Sequence, residues 1–343
     1  MDTRIISNPS EADLDLLAET LRSGELVAIP TETVYGLGAN GLDAEAMDKI
    51  YAAKGRPSDN PLILHVPDGE SIRPLVKDIS VTAQALIDAF WPGPLTITLP
   101  KSDLVPDRAT GGLSRVALRC PDHYLCRDLL KRAGVPVAAP SANISGRPSP
   151  TTAQDVYHDM NGRIPYILDA GPCTIGVEST VVEVHDDKVI ILRPGGITKS
   201  MLEDVLPTVV YDTALISEST KPKAPGMKYT HYAPDASMYV VVGKPSDVAE
   251  AFKELSKGCR GPIGCLVSHE THVLIGMDER FQCHCFGQHG DALALGHDFY
   301  KSLLQFNENH VTLILAEGVE PHGFGVAVMN RMEKASSHHV IYK

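Results

Sequence analysis

From about residue 13 to residue 200 the chain repeats one device: a short β-rich apolar run, a polar or proline-bearing break, and helical periodicity between several of the runs. The runs read "ELVAIP", "PLILHV", "LTITLP", "RVALRC", "VPVAAP", "STVVEV" and "KVIILRP". Strands this short, with helices between several of them, predict a mixed α/β domain built on one main sheet. The stretch "LDAEAMDKIYAAKG" shows the helical grammar: Asp43 is placed to cap, Ala46, Met47, Ile50 and Tyr51 form an apolar stripe, and Gly55 suits the terminating position. Lys54 then sits on the last turn.

At 343 residues the chain exceeds the usual size of one core, and its 43% hydrophobic content can fill two. Residues 207–234 lose periodicity and carry prolines at 207, 222, 225 and 234, which reads as a linker. Beyond it, "SMYVVV", "GPIGCLV", "FQCHCFG" and "HVTLILAEG" alternate with helical stretches near 246–257, 291–307 and 325–337, predicting a smaller parallel α/β domain over 235–343. The first domain is thus expected over 1–206. The linker's end, "APGMKYTHYAP", is too rich in tyrosine, lysine and histidine for a plain spacer.

A formal net charge of −12 argues against a polyanion binder that uses its whole surface, although a local basic cleft fits within an acidic chain. No apolar leader and no run of about 18 apolar residues is visible, so neither secretion nor membrane spanning is expected. Seven cysteines, at 120, 126, 173, 259, 265, 283 and 285, follow no secreted disulfide pattern, and a reduced, cytoplasmic chain is expected. "CHC" at 283–285 lacks the second ligand pair of a zinc site, so two buried cysteines on one strand face are expected there instead of metal.

Polar residues gather where the strands end. "GLGANG" at 36–41 satisfies G-x-G-x-x-G and opens a helix, but "ELVAIP" ends six residues earlier and Asp59, at the distance of the ribose acid, lies in a loop before its strand. A dinucleotide site is not expected, and no Walker sequence is present. "PTETVYG", with Thr31, Glu32 and Thr33, is either a capped turn or part of a ligand loop. In "KGRPSDNP", Lys54 and Arg56 complement a helix end, while Pro57 and Pro61 stiffen the loop around Asn60; cations and prepositioned donors together suit phosphate. Arg115 and Arg119 share one strand face, and Arg119 ends the strand where a carboxylate clamp fits.

In "APSANISGRPSPTTAQ", Thr151 with Gln154 reads as a capping box, which leaves Ser141 and Asn143 unexplained. "GVESTVV" brings Glu178, Ser179 and Thr180 into a strand, and "ILRPGG" leaves one through Arg193. There is no nucleophile elbow and no H-E-x-x-H. A site rich in Arg, Lys, Ser, Thr and Asn but poor in bases suits phosphoryl or nucleotidyl chemistry, where positioning and charge stabilisation dominate.

The runs "PTETVYGLGANG", "KGRPSDNPLILHV", "WPGPLTITL", "APSANISGRPSPTT", "GVESTVV" and "LRPGGIT" resemble, in this order, the YrdC-type domain of threonylcarbamoyl-AMP synthases over about residues 12–200. "PGMKYTHYAP" followed by a second α/β domain resembles the long, two-domain form of that family. The resemblance implies a twisted mixed sheet around a basic cleft, followed by a linker and a smaller Rossmann-like domain. It also implies formation of L-threonylcarbamoyladenylate and pyrophosphate from L-threonine, bicarbonate or CO2, and ATP, on the way to modified tRNA. On the motif match Thr33, His65, Arg119, Ala139 and Ser179 would line the threonine site. Lys54, Arg56, Asn60, Ser141, Ser149 and Arg193 would hold ATP with Mg²⁺, Lys54 and Arg56 carrying the catalytic charge, and Tyr232 would close over the nucleotide. Arg115 stands at a further nucleotide-contacting position where relatives often have Thr or Ser, which leaves its role open. A tRNA or a downstream tRNA-modification transferase is an implied partner.

Two other functions fit part of these features. A carbamoyl-transfer enzyme of the hydrogenase-maturation type would carry acylphosphatase and zinc-finger regions, which this chain lacks. A non-catalytic double-stranded RNA or tRNA-binding module would bind RNA in a salt-sensitive way without consuming ATP. The acidic balance and the full set of polar strand ends favour the enzyme.

Overall fold

The computed structural model describes residues 2–215 and 232–343 and divides into two compact units. The first comprises the described chain up to Ser145 and residues 149–215; the second comprises Gly146–Pro148 and the described chain from residue 232. Ala233 N–H donates to Gly146 O at 2.9 Å within the second unit. Among the described residues no helix is long and apolar enough to cross a membrane.

In chain order the first unit runs β1 (Arg4–Ser7), α1 (Glu11–Arg22), β2 (Val27–Ile29), β3 (Gly36–Asn40), α2 (Ala44–Lys54), β4 (Ile63–His65), α3 (Val81–Phe90) and β5 (Leu95–Pro100). It continues through α4 (Asp107–Thr110), β6 (Arg115–Arg119), α5 (Tyr124–Ala133), β7 (Val137–Ala138), α6 (Ala153–Met160), β8 (Tyr166–Asp169), β9 (Thr180–Val184), β10 (Val189–Arg193), α7 (Lys199–Glu203) and β11 (Val209–Tyr211). These strands form one mixed sheet of order β1-β8-β2-β3-β7-β4-β6-β5-β9-β10-β11.

One face of that sheet is sealed along its length by the main core, in which Met47 and Ile50 of α2, Leu86 of α3 and Val156 of α6 pack on Leu37, Leu64, Ile97, Leu118 and Val182. On the other face α1 and α5 cover only one end, packing Leu14, Leu17, Leu21, Leu129 and Leu130 against Ile6, Val27, Ile29, Val137 and Leu168. The remaining half of this second face mixes the buried polar side chains of His65, Arg119 and Thr96 with a small apolar cluster of Val181 and Leu192.

Several expectations are corrected by the structure. "GLGAN", where no dinucleotide site is expected, does not open a helix directly but forms strand β3, antiparallel to β2, and its glycines serve packing. A Cβ on Gly38 would lie 2.9 Å from Val137 Cγ1 and 3.0 Å from Val27 O. The capping box of α6 is made by Thr152 and Asp155, one residue later than expected, because Thr152 takes the extended conformation before the first helical turn. Residues 209–211 are not connection: β11 pairs in parallel with β10. Asp43 and Gly55 behave as expected, Asp43 accepting from Glu45 N and Ala46 N and Gly55 turning left-handed at φ 62°.

The second unit contains β12 (Ser237–Val242), α8 (Pro245–Leu255), β13 (Ile263–Ser268), α9 (His269–Ile275), β14 (Phe281–Gly287), α10 (Ala292–Glu308), β15 (Leu313–Glu317), α11 (Gly325–Ala335) and β16 (Val340–Tyr342). Its sheet, of order β14-β13-β15-β12-β16, pairs in parallel throughout. The cysteines of "CHC" lie on the edge strand β14, so they are not both buried as expected: Cys283 is exposed and Cys285 half-buried. An edge strand has a sheet neighbour on one side only, which leaves Cys283 in solvent.

Candidate active site

Strand register builds the site before any side-chain contact is considered. His65 of β4 lies opposite Arg119 of β6, Arg119 opposite Thr96 of β5, and Thr96 opposite Val181 of β9. Residues paired across strands share a face, so these four form one row on the partly covered side of the sheet. The row is extended by an irregularity between Ile191 and Arg193 that sets Arg193 opposite Val181. Bulges re-aim side chains in this way. Arg193 Nε donates to Ser179 O, and its Nη2 to Ser179 Oγ, each at 3.1 Å. Ser179 Oγ is in turn 2.8 Å from Thr96 Oγ1.

Arg119 is the charge at the centre of the row. Its Nη2 lies 2.8 Å from Glu32 Oε2, with both side chains at least nine-tenths buried. The contact is an ion pair by distance, but its angle misses hydrogen-bond alignment, and neither carboxylate oxygen of Glu32 nor Arg119 Nε or Nη2 makes a hydrogen bond. A buried pair with open donors and acceptors is costly for the protein alone and suits a ligand that completes it. Beside it, burial first and the Arg119 charge second push His65 down to about 3, so the ring is neutral at physiological pH. Nδ1 of that ring is 3.2 Å from Ile63 O.

The loop after β2 supplies Glu32 and Thr33 together. Thr31 is its structural member: its hydroxyl donates to Val34 O at 2.6 Å and accepts from Thr33 N and Val34 N. Thr33 Oγ1 lies 2.9 Å from Thr31 Oγ1. Ala139, buried just beyond β7, lies on the same face as the His65 row.

A second group forms at the end of α2. Lys54 Nζ donates to Ser141 O and, at 2.6 Å, to Asn143 O, while Lys54 O accepts from Ser145 N at 2.8 Å. Helix and serine-rich loop are thereby tied together. Burial, then the charge of Arg56, hold the Lys54 pKa well below its ordinary value, against the opposing pull of Asp159 and Glu178. Such a lysine gains when an anion arrives. Tyr51 braces the loop that follows: the Arg56 guanidinium sits 5.9 Å from its ring centre and its hydroxyl donates to Asn60 O at 2.9 Å. Asn60 Oδ1 is buried without a hydrogen bond. Ser149 Oγ donates to Glu178 Oε1 at 2.7 Å, both side chains buried.

Two further residues of the expected nucleotide side make contacts of their own. Arg115 shares the face of Arg119, but its guanidinium bonds Thr98 O at 2.7 Å and Val184 O, tying β5, β6 and β9 together at the far end of the strand. Tyr232 belongs to the second unit, where its ring lies 5.2 Å from that of Tyr300. The rest of the lid sequence, with Met227 and residues 228–231, lies outside the described residues. Glu32 and Thr96 had no assigned role in the sequence reading. The alternation in "LTITL" hints at Thr96 only once β5 is known to lie beside β6.

The Sua5, YciO and YrdC family model, described as telomere recombination, matches residues 19–195, and the model described as threonylcarbamoyl-AMP synthase, C-terminal domain, matches residues 197–337. A Bacillus subtilis threonylcarbamoyl-AMP synthase is 46% identical over 325 residues, covering 94% of this chain and 93% of the relative. This chain belongs to the threonylcarbamoyl-AMP synthase family. A Pyrococcus abyssi threonylcarbamoyl-AMP synthase is 44% identical over 96% of both chains. The crystal structure of P. abyssi Sua5 complexed with L-threonine superposes with a TM-score of 0.90 and 40% identity over 100% of each chain. Both units therefore have counterparts in this family of enzymes, and the fold is the one expected.

Proposed function

We propose that this chain is a nucleotidyltransferase that makes L-threonylcarbamoyladenylate and pyrophosphate from L-threonine, bicarbonate or CO2, and ATP, for threonylcarbamoyladenosine formation in tRNA. The observation that carries the reading is the buried row centred on Arg119, with neutral His65 on one side and Thr96, Ser179 and Arg193 on the other. The family relationship and the threonine complex of the P. abyssi protein support it.

Arg119 takes the threonine carboxylate, since a guanidinium binds carboxylate through two donors. Thr33, His65, Ala139 and Ser179 enclose the remainder. The amine and bicarbonate give a carbamate and water; a carbamate oxygen then attacks the α-phosphorus of ATP and pyrophosphate leaves. No protein nucleophile is needed. Lys54, Arg56 and Arg193, with Asn60, Ser141 and Ser149, hold the nucleotide and offset the charge growing on its phosphates. Arg115 and Tyr232 join the nucleotide side on the resemblance alone.

Mg²⁺ enters as part of the MgATP substrate. The cationic donor set of Lys54, Arg56 and Arg193 fits phosphate oxygens, and among the described residues no group of three or more His, Cys, Asp or Glu could hold a metal ion.

Incubation with ATP, labelled bicarbonate and L-threonine tests the proposal. Threonine-dependent formation of a labelled adenylate together with pyrophosphate is expected, and pyrophosphate release that is indifferent to threonine would refute it.

A further inference from the structure

The second unit holds two sulfurs face to face on neighbouring strands. In the parallel β13–β14 pair, Cys265 is the residue opposite Cys283. In-register neighbours on adjacent strands lie about 4.8 Å apart and point to the same face. That spacing falls inside the Cα window of roughly 4.4–6.8 Å that a disulfide spans.

The two thiols sit in unlike surroundings. Cys265 is fully buried in the core under α8 and α9, whereas Cys283, on the edge strand, is exposed. Cys285, two residues further along the same face, lies opposite Val267 and has no sulfur across from it. The neighbouring Cys265 thiol holds the Cys283 pKa below its ordinary value, while the Cys283 sulfur, with burial, raises that of Cys265. Exposure and thiolate character therefore coincide on one sulfur, and its neighbour is a thiol that solvent does not reach.

We propose that Cys283 and Cys265 form a peroxide-oxidisable dithiol, Cys283 being the sulfur that peroxide oxidises and Cys265 the one that resolves it. The Cys283 thiolate attacks one oxygen of hydrogen peroxide, the O–O bond breaks, and hydroxide leaves a sulfenic acid. The Cys265 sulfur, giving up its proton, then displaces the sulfenic oxygen as water, and a disulfide joins the edge strand to β13. Two electrons pass from the thiol pair to the peroxide. A resolving thiol within reach also diverts the sulfenic acid from irreversible oxidation.

The test uses the full-length protein, reduced, freed of reductant and exposed to hydrogen peroxide, then alkylated and digested without reduction for mass spectrometry. Expected is a peptide pair linked through Cys265 and Cys283 that dithiothreitol separates. With dimedone present, Cys265→Ser should carry the adduct on Cys283, and Cys283→Ser should leave Cys265 unmodified. The proposal is overturned if wild type leaves Cys283 unreacted, holds it as sulfenic or sulfinic acid beside an alkylated Cys265, or links it to Cys285 or Cys259. The wild-type result decides the matter even where a variant folds poorly.

Discussion

Arg119 and Glu32 form a buried ion pair, 2.8 Å between Nη2 and Oε2, in which neither carboxylate oxygen completes a hydrogen bond. Removing one charge of such a pair leaves the other buried and uncompensated. Glu32→Gln should therefore cost roughly 3–5 kcal/mol of folding stability, read from denaturant unfolding. Arg119→Lys keeps the charge but loses the planar fork. Its KM for threonine should rise at least about tenfold with the ATP KM little changed; equal shifts in both would remove Arg119 from the threonine side.

Arg56 sits over the Tyr51 ring and donates from Nη2 to Pro61 O at 3.3 Å. Arg56→Ala should fold, yet lower turnover about a hundredfold, which corresponds to about 3 kcal/mol of transition-state stabilisation. Threonine-dependent pyrophosphate release measures it directly, and a near-normal rate from a folded variant would count against any role in charge stabilisation.

His65 makes acid stability a probe of the site. Its folded pKa of about 3 lies below the ordinary 6.5, so below pH 6.5 the unfolded chain binds a proton that the folded chain refuses. Stability contributed at neutral pH is thus lost as pH falls from about 6.5 towards 3, at up to about 1.4 kcal/mol per pH unit. Unfolding free energies of His65→Gln measured across that range should fall less steeply than those of wild type; parallel curves would mean that the imidazole is not held neutral.

Gly195 controls Ser179 through backbone contact. A Cβ there would lie 2.2 Å from Thr180 N and 2.5 Å from Glu178 O, atoms that cannot swing aside. Gly195→Ala should cost about 1–3 kcal/mol and raise the threonine KM together with the loss in melting temperature. An unchanged KM in the destabilised variant would separate Ser179 from threonine recognition.

The part of this site that was legible in the sequence is the part built from neighbours along the chain. Asp43, Gly55, Pro57 and Pro61 announce a helix end and a stiff loop, so Lys54, Arg56 and Asn60 could be picked out together. Glu32 and Thr96 could not, because their meaning comes from Arg119 and Ser179, which the sheet brings beside them from distant sequence. "GLGANG" could be rejected as a dinucleotide turn but not recognised as a strand, for a related reason: Gly38 is small so that β3 can fit against Val137 and Val27, a demand made by other strands and invisible locally. The three residues of β11 carry too little pattern to separate a strand from a connection.

The cross-strand row has a consequence for synthesis of the chain. Its members enter the sheet from β4, β6, β5, β9 and β10, so their order of translation differs from their order in space. While a growing chain has emerged only as far as Arg119, His65 already has its neighbour in β6, but Ser179 and Arg193 do not yet exist. Threonine recognition of the proposed kind thus belongs to a late moment in biogenesis, after residue 193 has left the ribosome, and ligand binding by ribosome-held chains of increasing length would date the closing of the sheet.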